Sequence, residues 1–189
     1  MTDSELLKMV EQLNEARHND DHHGAARSGI VGEANLKMIL EERGIPLLRI
    51  QDEFKEYYNT LTKDQAENIW REKMRLTCPW QPECCYKPDG WIPTTDTTVE
   101  IKYGTKQGTT EEKVFLDLEK IRDGAYPKNL TYIFWGTPEK FRSSGRCFAQ
   151  IFADKCRQEN LPVEVIFATR NNGAELNKWL EKQANKSTR

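Results

Sequence analysis

Two carboxylates and one amine form the pattern in this sequence with the clearest chemical meaning. Asp89 follows Pro88, and Glu100 and Lys102 lie further along the chain with one residue between them. Two carboxylates and a substrate phosphate are a sufficient site for Mg²⁺, which prefers oxygen ligands and keeps several waters. A lysine beside them can orient or deprotonate an attacking water and stabilise charge on the phosphate. The three side chains form a candidate metal-dependent site.

Two strand-like segments must position these side chains. Residues 86–92 and 97–103 are predicted strands, and the turn-forming residues 93–96 separate them. Side chains two residues apart in a strand point to one face, so Glu100 and Lys102 are expected to project together. An antiparallel hairpin would bring Asp89 beside them.

A glutamate in the preceding helix is a further candidate. Residues 28–43 are predicted to be helical, and Gly44 is placed as the C-terminal stop. Glu33 shares a helical face with Leu36 and Leu40, so it interrupts an apolar stripe. A carboxylate on the buried side of a helix needs a partner. The alternative interpretation is that Glu33 is an ordinary exposed helix residue.

The remaining pattern alternates helices and strands. Helices are predicted at residues 1–17, from the capping box at 62–65 to about 76, from a second capping box at 109–112 to 123–124, between 138 and 160, and at 174–184. A polar loop is expected at 18–24, a short strand at 45–50, strands buried on both sheet faces at 130–135 and 163–168, and a frayed end at 185–189. This order predicts an α/β fold, a central mixed β-sheet flanked by helices, with additional N-terminal helices.

The segment Pro88-Asp89, followed after ten residues by Glu100-Ile101-Lys102, resembles the signature of the PD-(D/E)XK nucleases, a superfamily that includes many type II restriction endonucleases. The resemblance covers residues 28–136 and implies a restriction-endonuclease-like core. It implies that Asp89 and Glu100 bind Mg²⁺, for which Mn²⁺ can substitute, and that Lys102 positions or deprotonates the water. Many members also have a glutamate in the helix before the hairpin, and Glu33 is the candidate for that position.

Length and composition suit one domain. The chain has 189 residues, with 28 basic and 30 acidic side chains. We expect a single domain over residues 1–189: an N-terminal helix and loop at 1–27, a catalytic core at 28–136 and a helix-strand-helix elaboration at 137–189. The near balance of charge means that phosphate binding must come from locally clustered Lys and Arg. No export signal or long apolar stretch occurs, so we expect a cytoplasmic protein.

Two basic segments are secondary candidates for nucleic-acid binding. Lys106, Gln107 and Lys113 lie where the second hairpin strand leads into a helix, and a helix N-terminus can receive a phosphate. Arg142 and Arg146 belong to a basic stretch that follows a strand. The alternatives are a flexible loop with an ordinary helix cap and a solvated helix face.

Cysteines, histidines and tryptophans offer weaker candidates. Cys78, Cys84 and Cys85 suggest zinc, but no second closely spaced ligand pair is evident, and an odd total of five cysteines favours reduced thiols. The histidines lie in a polar loop, where solvated histidines are common. The five tryptophans favour core or rim packing, although Trp80 could reach nucleic acid.

The resemblance implies an endonuclease that hydrolyses double-stranded DNA, with a type II restriction endonuclease as the expectation. For such an enzyme a homodimer would supply one active site per strand. Two alternatives stay open: a phage or repair nuclease that recognises DNA structure, and a non-catalytic nucleic-acid-binding protein with a nuclease-derived fold.

Overall fold

The computed structural model describes residues 25–103, 110–136, 142–143, 146–168 and 173–187. The predicted helix at 1–17 and the loop that contains all three histidines lie outside these ranges. The helices are α1 (Ala25–Glu42), α2 (Gln51–Tyr57), α3 (Lys63–Met74), α4 (Thr110–Arg122), α5 (Phe148–Gln158) and α6 (Ala174–Ser187). The strands are β1 (Leu76–Cys78), β2 (Gln81–Tyr86), β3 (Gly90–Ile92), β4 (Thr97–Tyr103), β5 (Leu130–Trp135), β6 (Arg142–Ser143), β7 (Arg146–Cys147) and β8 (Val163–Ala168).

A four-stranded mixed sheet organises the described chain, in the order β3-β4-β5-β8. The β3–β4 pair is antiparallel, and it places Gly90 opposite Val99. The β4–β5 and β5–β8 pairs are parallel, so α4 serves as the crossover between β4 and β5. Two antiparallel ladders, β1–β2 and β6–β7, accompany this sheet.

Helices cover both faces of the sheet. On one face, apolar residues of α1 and α6 pack against β4, β5 and β8, in a cluster that includes Leu36, Ile101 and Trp179. On the other face, α4 and α5 pack over β5, in a cluster that includes Leu118 and Phe134. This layering confirms the predicted α/β class with a central mixed sheet flanked by helices.

Several predicted elements are confirmed, and their ends have a visible cause. The N-cap Thr62 accepts a hydrogen bond from the backbone N–H of Gln65 (3.3 Å), and the Gln65 side chain accepts one from the Thr62 N–H (2.9 Å). Gly44 adopts a positive φ of 68°, and its N–H donates to the carbonyl of Glu41 (2.9 Å), which closes α1. The predicted hairpin exists, with its turn before Thr97.

Other predictions are wrong in detail. Residues 45–50 form no strand but a single antiparallel bridge between Leu48 and Trp91, because β3 is too short to pair further. The first hairpin strand does not span 86–92, since Gln81–Tyr86 pairs with β1 instead. Neither the β1–β2 ladder nor α2 was predicted, because a Pro-rich segment and a seven-residue helix carry little periodicity.

The C-terminal third also needs correction. The predicted helix over 138–160 begins only at Phe148, after the short β6–β7 ladder. Strand β8 is partly exposed and lies at one end of the sheet order, whereas burial on both faces was predicted. Helix α6 continues through Ser187 instead of fraying after residue 184. Among the helices of the described ranges, none has the length and apolar content that a membrane crossing requires.

Candidate active site

Strand alternation in β4 directs Glu100 and Lys102 to the sheet face covered by α4. Their neighbours Val99 and Ile101 join the apolar cluster beneath α1 on the opposite face. Glu100 is buried, and the ammonium of Lys102 donates a hydrogen bond to its Oε1 atom (2.5 Å). The predicted projection of these two side chains to one face is therefore confirmed.

Asp89 lies at the start of the hairpin, immediately before β3. It was predicted within the first strand, but the strand begins one residue later, at Gly90. Its Oδ2 atom accepts a hydrogen bond from the backbone N–H of Ile101 (2.7 Å). This bond ties the carboxylate to the middle of the Glu100-Ile101-Lys102 segment, so the structure brings Asp89 to the same stretch of β4.

A third carboxylate, which was not predicted from the sequence, belongs to this cluster. Asp117 on α4 is buried, and its Oδ2 atom lies 3.0 Å from the ammonium of Lys102. Its Oδ1 atom lies 2.9 Å from the ammonium of Lys120, and the hydroxyl of Tyr132 donates to Oδ2 (3.0 Å). The signal was present in the sequence, because Asp117 interrupts the apolar stripe formed by Val114, Leu118 and Ile121.

Burial and charge together set the protonation of the cluster. Burial raises the pKa of Glu100 to about 8 and raises the pKa of Asp89 above its usual value, although Lys102 opposes both shifts. Burial lowers the pKa of the Lys102 ammonium, but the carboxylates of Glu100, Asp117 and Asp89 outweigh it and raise that pKa well above its usual value. Burial raises the pKa of Asp117, but the ammonium groups of Lys102 and Lys120 outweigh it and lower that pKa below its usual value.

Aromatic rings surround the charged groups. The Lys102 ammonium lies 5.4 Å from the ring centroid of Tyr132, and the Lys120 ammonium lies 4.5 Å from that of Tyr86. Tyr86 in turn contacts Tyr126 edge-on, with centroids 5.3 Å apart. Burial raises the pKa of all three tyrosine hydroxyls, so they stay neutral. Rings with few water contacts lower the local dielectric and strengthen every charge interaction in the cluster.

One carboxylate oxygen of the cluster fits a metal ligand. The Oε2 atom of Glu100 is buried and accepts no hydrogen bond. Burying such an oxygen costs free energy unless a cation or a hydrogen-bond donor contacts it. Within the described residues no group of three or more His, Cys, Asp or Glu side chains is arranged to hold a metal. Two carboxylates with water and a phosphate nevertheless match the oxygen-rich, partly hydrated coordination that Mg²⁺ prefers.

Glu33 does not contact Glu100 or Lys102 directly, since α1 packs on the opposite sheet face. Its side chain is only 16% exposed and forms an ion pair with Arg49. The Nε atom of Arg49 donates to the backbone carbonyl of Asp89 (3.1 Å). The expected partner of this carboxylate is therefore Arg49, which links Glu33 to the backbone that carries Asp89; a catalytic role for Glu33 stays a prediction.

Most of the secondary candidates for nucleic-acid binding have side chains outside the described part of the chain. Lys106 and Gln107 lie outside the described residues. Lys113 is exposed on α4, in a helix whose first turn carries the acidic residues Glu111 and Glu112. Those carboxylates occupy the position that favours a phosphate at a helix N-terminus. Of Arg142 and Arg146 the structure describes the backbone, in β6 and β7.

The cysteines and tryptophans have defined surroundings. Cys78 is a buried free thiol and Cys85 an exposed one, whereas the Cys84 side chain is outside the described part of the chain. Trp91, Trp135 and Trp179 are buried, as core packing predicts, and Trp80 is 51% exposed in the turn between β1 and β2.

In comparisons with known proteins, no family model, no curated protein and no solved structure matches this chain.

Proposed function

We propose that this protein is a Mg²⁺-dependent endonuclease of the PD-(D/E)XK type, and that double-stranded DNA is its substrate. The observation that carries the proposal is the convergence of Asp89, Glu100 and Lys102 at the β3–β4 hairpin, with the buried Oε2 atom of Glu100 left without a partner. The order of α1, the hairpin, α4 and β5 around a mixed sheet agrees with the core that the resemblance implies.

Each group of the site has a chemical task in this proposal. Asp89 and Glu100 would hold Mg²⁺, which supplies Lewis-acid polarisation of the phosphate and neutralises developing charge. The backbone N–H of Ile101 fixes the carboxylate of Asp89 through its hydrogen bond to Oδ2. Lys102 would orient the attacking water with its ammonium group and stabilise charge on the phosphate. The aromatic rings of Tyr86, Tyr126 and Tyr132, which lie beside the two lysine ammonium groups and one another, would limit the access of bulk water to the cluster.

Double-stranded DNA, a type II restriction activity and a homodimer in the cytoplasm are the finer parts of the proposal. The substrate, the restriction activity and the homodimer are supported by analogy with the family alone, because no described side chain is identified as a reader of base edges. The cytoplasmic location is supported by the free thiols of Cys78, Cys85 and Cys156, which suit a reducing compartment. Fragment pattern and oligomeric state are therefore separate measurements from cleavage itself.

The test is cleavage of plasmid DNA with Mg²⁺ by the wild type and by Asp89→Asn, Glu100→Gln and Lys102→Met. Each substitution is expected to reduce the cleavage rate at least ~100-fold, because each removes a metal ligand or the charge at the reacting phosphate. Glu164→Gln is the matched control, since Glu164 pairs with Lys182 on the surface (2.7 Å). Cleavage that survives in both carboxylate variants would show that the nuclease site lies elsewhere or that the activity is a contaminant.

Substrate preference separates the alternatives. Discrete, sequence-dependent fragments support a restriction endonuclease, whereas preference for branched or single-stranded DNA supports a structure-directed phage or repair nuclease. Binding of DNA without Mg²⁺-dependent cleavage supports a non-catalytic protein with a nuclease-derived fold. Sedimentation of the protein alone and with DNA measures whether it is a homodimer.

A further inference from the structure

Two carboxylates compete for the ammonium of Lys102. Glu100 accepts from it through Oε1 at 2.5 Å, and Asp117 lies on its other flank with Oδ2 at 3.0 Å. The two acids come from different elements, since Glu100 is on β4 and Asp117 is on α4. The Lys102 side chain is 14% exposed, so water screens this competition only weakly.

The contact between Lys102 and Glu100 conflicts with metal binding. An ammonium at hydrogen-bond distance occupies one oxygen of Glu100 and repels a second cation at the same carboxylate. A divalent ion at the unpartnered Oε2 atom of Glu100 therefore binds more tightly if the ammonium withdraws to another acceptor. Asp117 offers that acceptor within the same buried cluster.

Asp117 is held in an orientation that suits this role. Its Oδ1 atom is directed to Lys120 (2.9 Å), while its Oδ2 atom receives both the hydroxyl of Tyr132 (3.0 Å) and the ammonium of Lys102 (3.0 Å). Tyr132 is fully buried in β5, so its hydroxyl is a fixed donor. The carboxylate is thereby presented to Lys102 on the side away from its contact with Lys120.

We propose that Asp117 is a positioning residue that draws the ammonium of Lys102 away from Glu100 and so leaves Glu100 available to a divalent cation. The inference rests on the proposed function, because it assumes that Glu100 is a metal ligand. Asp117 itself does not touch the metal in this account. It acts through Lys102 and keeps that lysine within reach of the site.

The test is a double-mutant cycle on Mg²⁺ binding without DNA. Binding is measured by calorimetry and, with Mn²⁺ in place of Mg²⁺, by electron paramagnetic resonance. Asp117→Asn keeps the shape of the side chain and an acceptor for Tyr132 but removes the charge that attracts Lys102. It is expected to weaken Mg²⁺ binding ~10-fold, and Lys102→Met is expected to tighten it, since the competing ammonium is gone. In the Lys102→Met background, Asp117→Asn is expected to change the dissociation constant less than ~3-fold.

Lys120→Met is the matched control. Lys120 contacts the same carboxylate as Lys102 but has no described contact with Glu100. Its removal leaves Lys102 as the one ammonium in contact with Asp117 among the described residues, so Mg²⁺ binding should not weaken. If Asp117 had a merely structural role, loss of Lys102 and loss of Lys120 would instead change Mg²⁺ binding in the same direction.

The outcomes distinguish this inference from the proposed function. Equal weakening by Asp117→Asn in the wild-type and Lys102→Met backgrounds, or no weakening at all, overturns the positioning role while the metal site stands. Failure of the wild type to bind Mg²⁺ or Mn²⁺ overturns the proposed function as well. Circular dichroism checks the fold of each variant, and Asp117→Ser replaces Asp117→Asn in the same cycle if the latter does not fold.

Discussion

The ammonium of Lys102 lies 3.0 Å from the carboxylate of Asp117, and this ion pair joins strand β4 to the helix that follows it. It crosses the interface between sheet and helix beside the apolar cluster that includes Leu118 and Phe134. The geometry of the candidate site therefore depends on how α4 packs on the sheet as well as on the hairpin. Four further expectations can be measured.

Removal of the Lys102 ammonium should destabilise the metal-free protein strongly. Lys102→Met leaves the buried carboxylates of Glu100 and Asp117 without their shared partner, and breaking a buried pair from one side costs about 3–5 kcal/mol. The loss should be smaller at pH 5, where the carboxylates can take up protons instead. Urea denaturation at pH 5 and pH 8 measures both values.

The control for this measurement is Lys182→Met, which removes an exposed partner of Glu164. An exposed ion pair contributes less than about 1 kcal/mol, so this variant should resemble the wild type. Equal losses in the two variants would mean that the Lys102 ammonium is solvated in solution.

The stability of the metal-free protein should fall as the pH rises towards 8. The folded protein holds the pKa of Glu100 at about 8, above its ordinary value of 4.5, so folding favours the protonated acid. The resulting stabilisation is complete below pH 4.5 and is lost as the pH rises through about 8. The raised pKa of Asp89 acts in the same direction.

Glu100→Gln isolates this contribution, because the amide does not titrate. Thermal melts in chelator between pH 5 and pH 8 should show a flatter pH dependence for the variant than for the wild type. Parallel curves for the two proteins would argue that Glu100 is ionised throughout this range. Lys102 stays charged there, since its pKa is raised well above the usual value.

Glu33 is expected to act through Arg49 and not as a metal ligand. Glu33→Gln removes the charge that holds Arg49, whose Nε atom supports the backbone carbonyl of Asp89. Weakening a largely buried, charge-assisted contact should cost about 1–3 kcal/mol of stability. The affinity for Mg²⁺ should change less than ~3-fold, because no ligand of the proposed metal is lost.

Calorimetric titration with Mg²⁺ decides between the two roles of Glu33. A large loss of affinity in Glu33→Gln would instead make it a metal ligand. Glu41→Gln is the matched control in the same helix, since its side chain is 56% exposed and lies 3.8 Å from Lys37.

Gly90 is expected to tolerate no side chain. A Cβ atom there would lie 2.6 Å from Cδ1 and 2.9 Å from Cγ of Leu47, which is itself buried. Gly90→Ala should therefore cost about 1–3 kcal/mol through overpacking. It should also slow cleavage, because any shift of the strand start moves Asp89.

The double variant with Leu47→Ala tests the cause. The added cavity costs stability of its own, but the two losses should be less than additive if the clash is real. Gly44→Ala is the comparison. A Cβ atom there would meet nothing within 4 Å, so only the positive φ of 68° would strain the alanine. Its loss, about 1 kcal/mol, should not depend on Leu47.

Local sequence patterns determined much of the scaffold. Periodicity and end signals predicted α1 with its Gly44 stop, α3 with its Thr62 cap, and strand β5. The hairpin and the common direction of Glu100 and Lys102 also followed from spacing, because alternation in a strand is a property of neighbouring residues. These features depend on contacts among residues close in the chain.

The missed or misplaced elements lack such local signals. The β1–β2 ladder displaced the first hairpin strand because pairing between two short segments is decided by their neighbours in space. Likewise, the exposure of β8 depends on its place at the end of the sheet order, which an apolar run does not encode. Its bounds were predictable and its surroundings were not.

Asp117 shows most clearly what only the tertiary structure decided. Its position in the apolar stripe of α4 indicates that it faces the interior, as the same reasoning indicated for Glu33. Which group it meets there depends on the crossover of α4 from β4 to β5 and on the packing that brings Lys102 and Tyr132 to one carboxylate. By itself the sequence determined which side chains point inward; the packing of a helix on a sheet, a contact between distant residues, determined their partners.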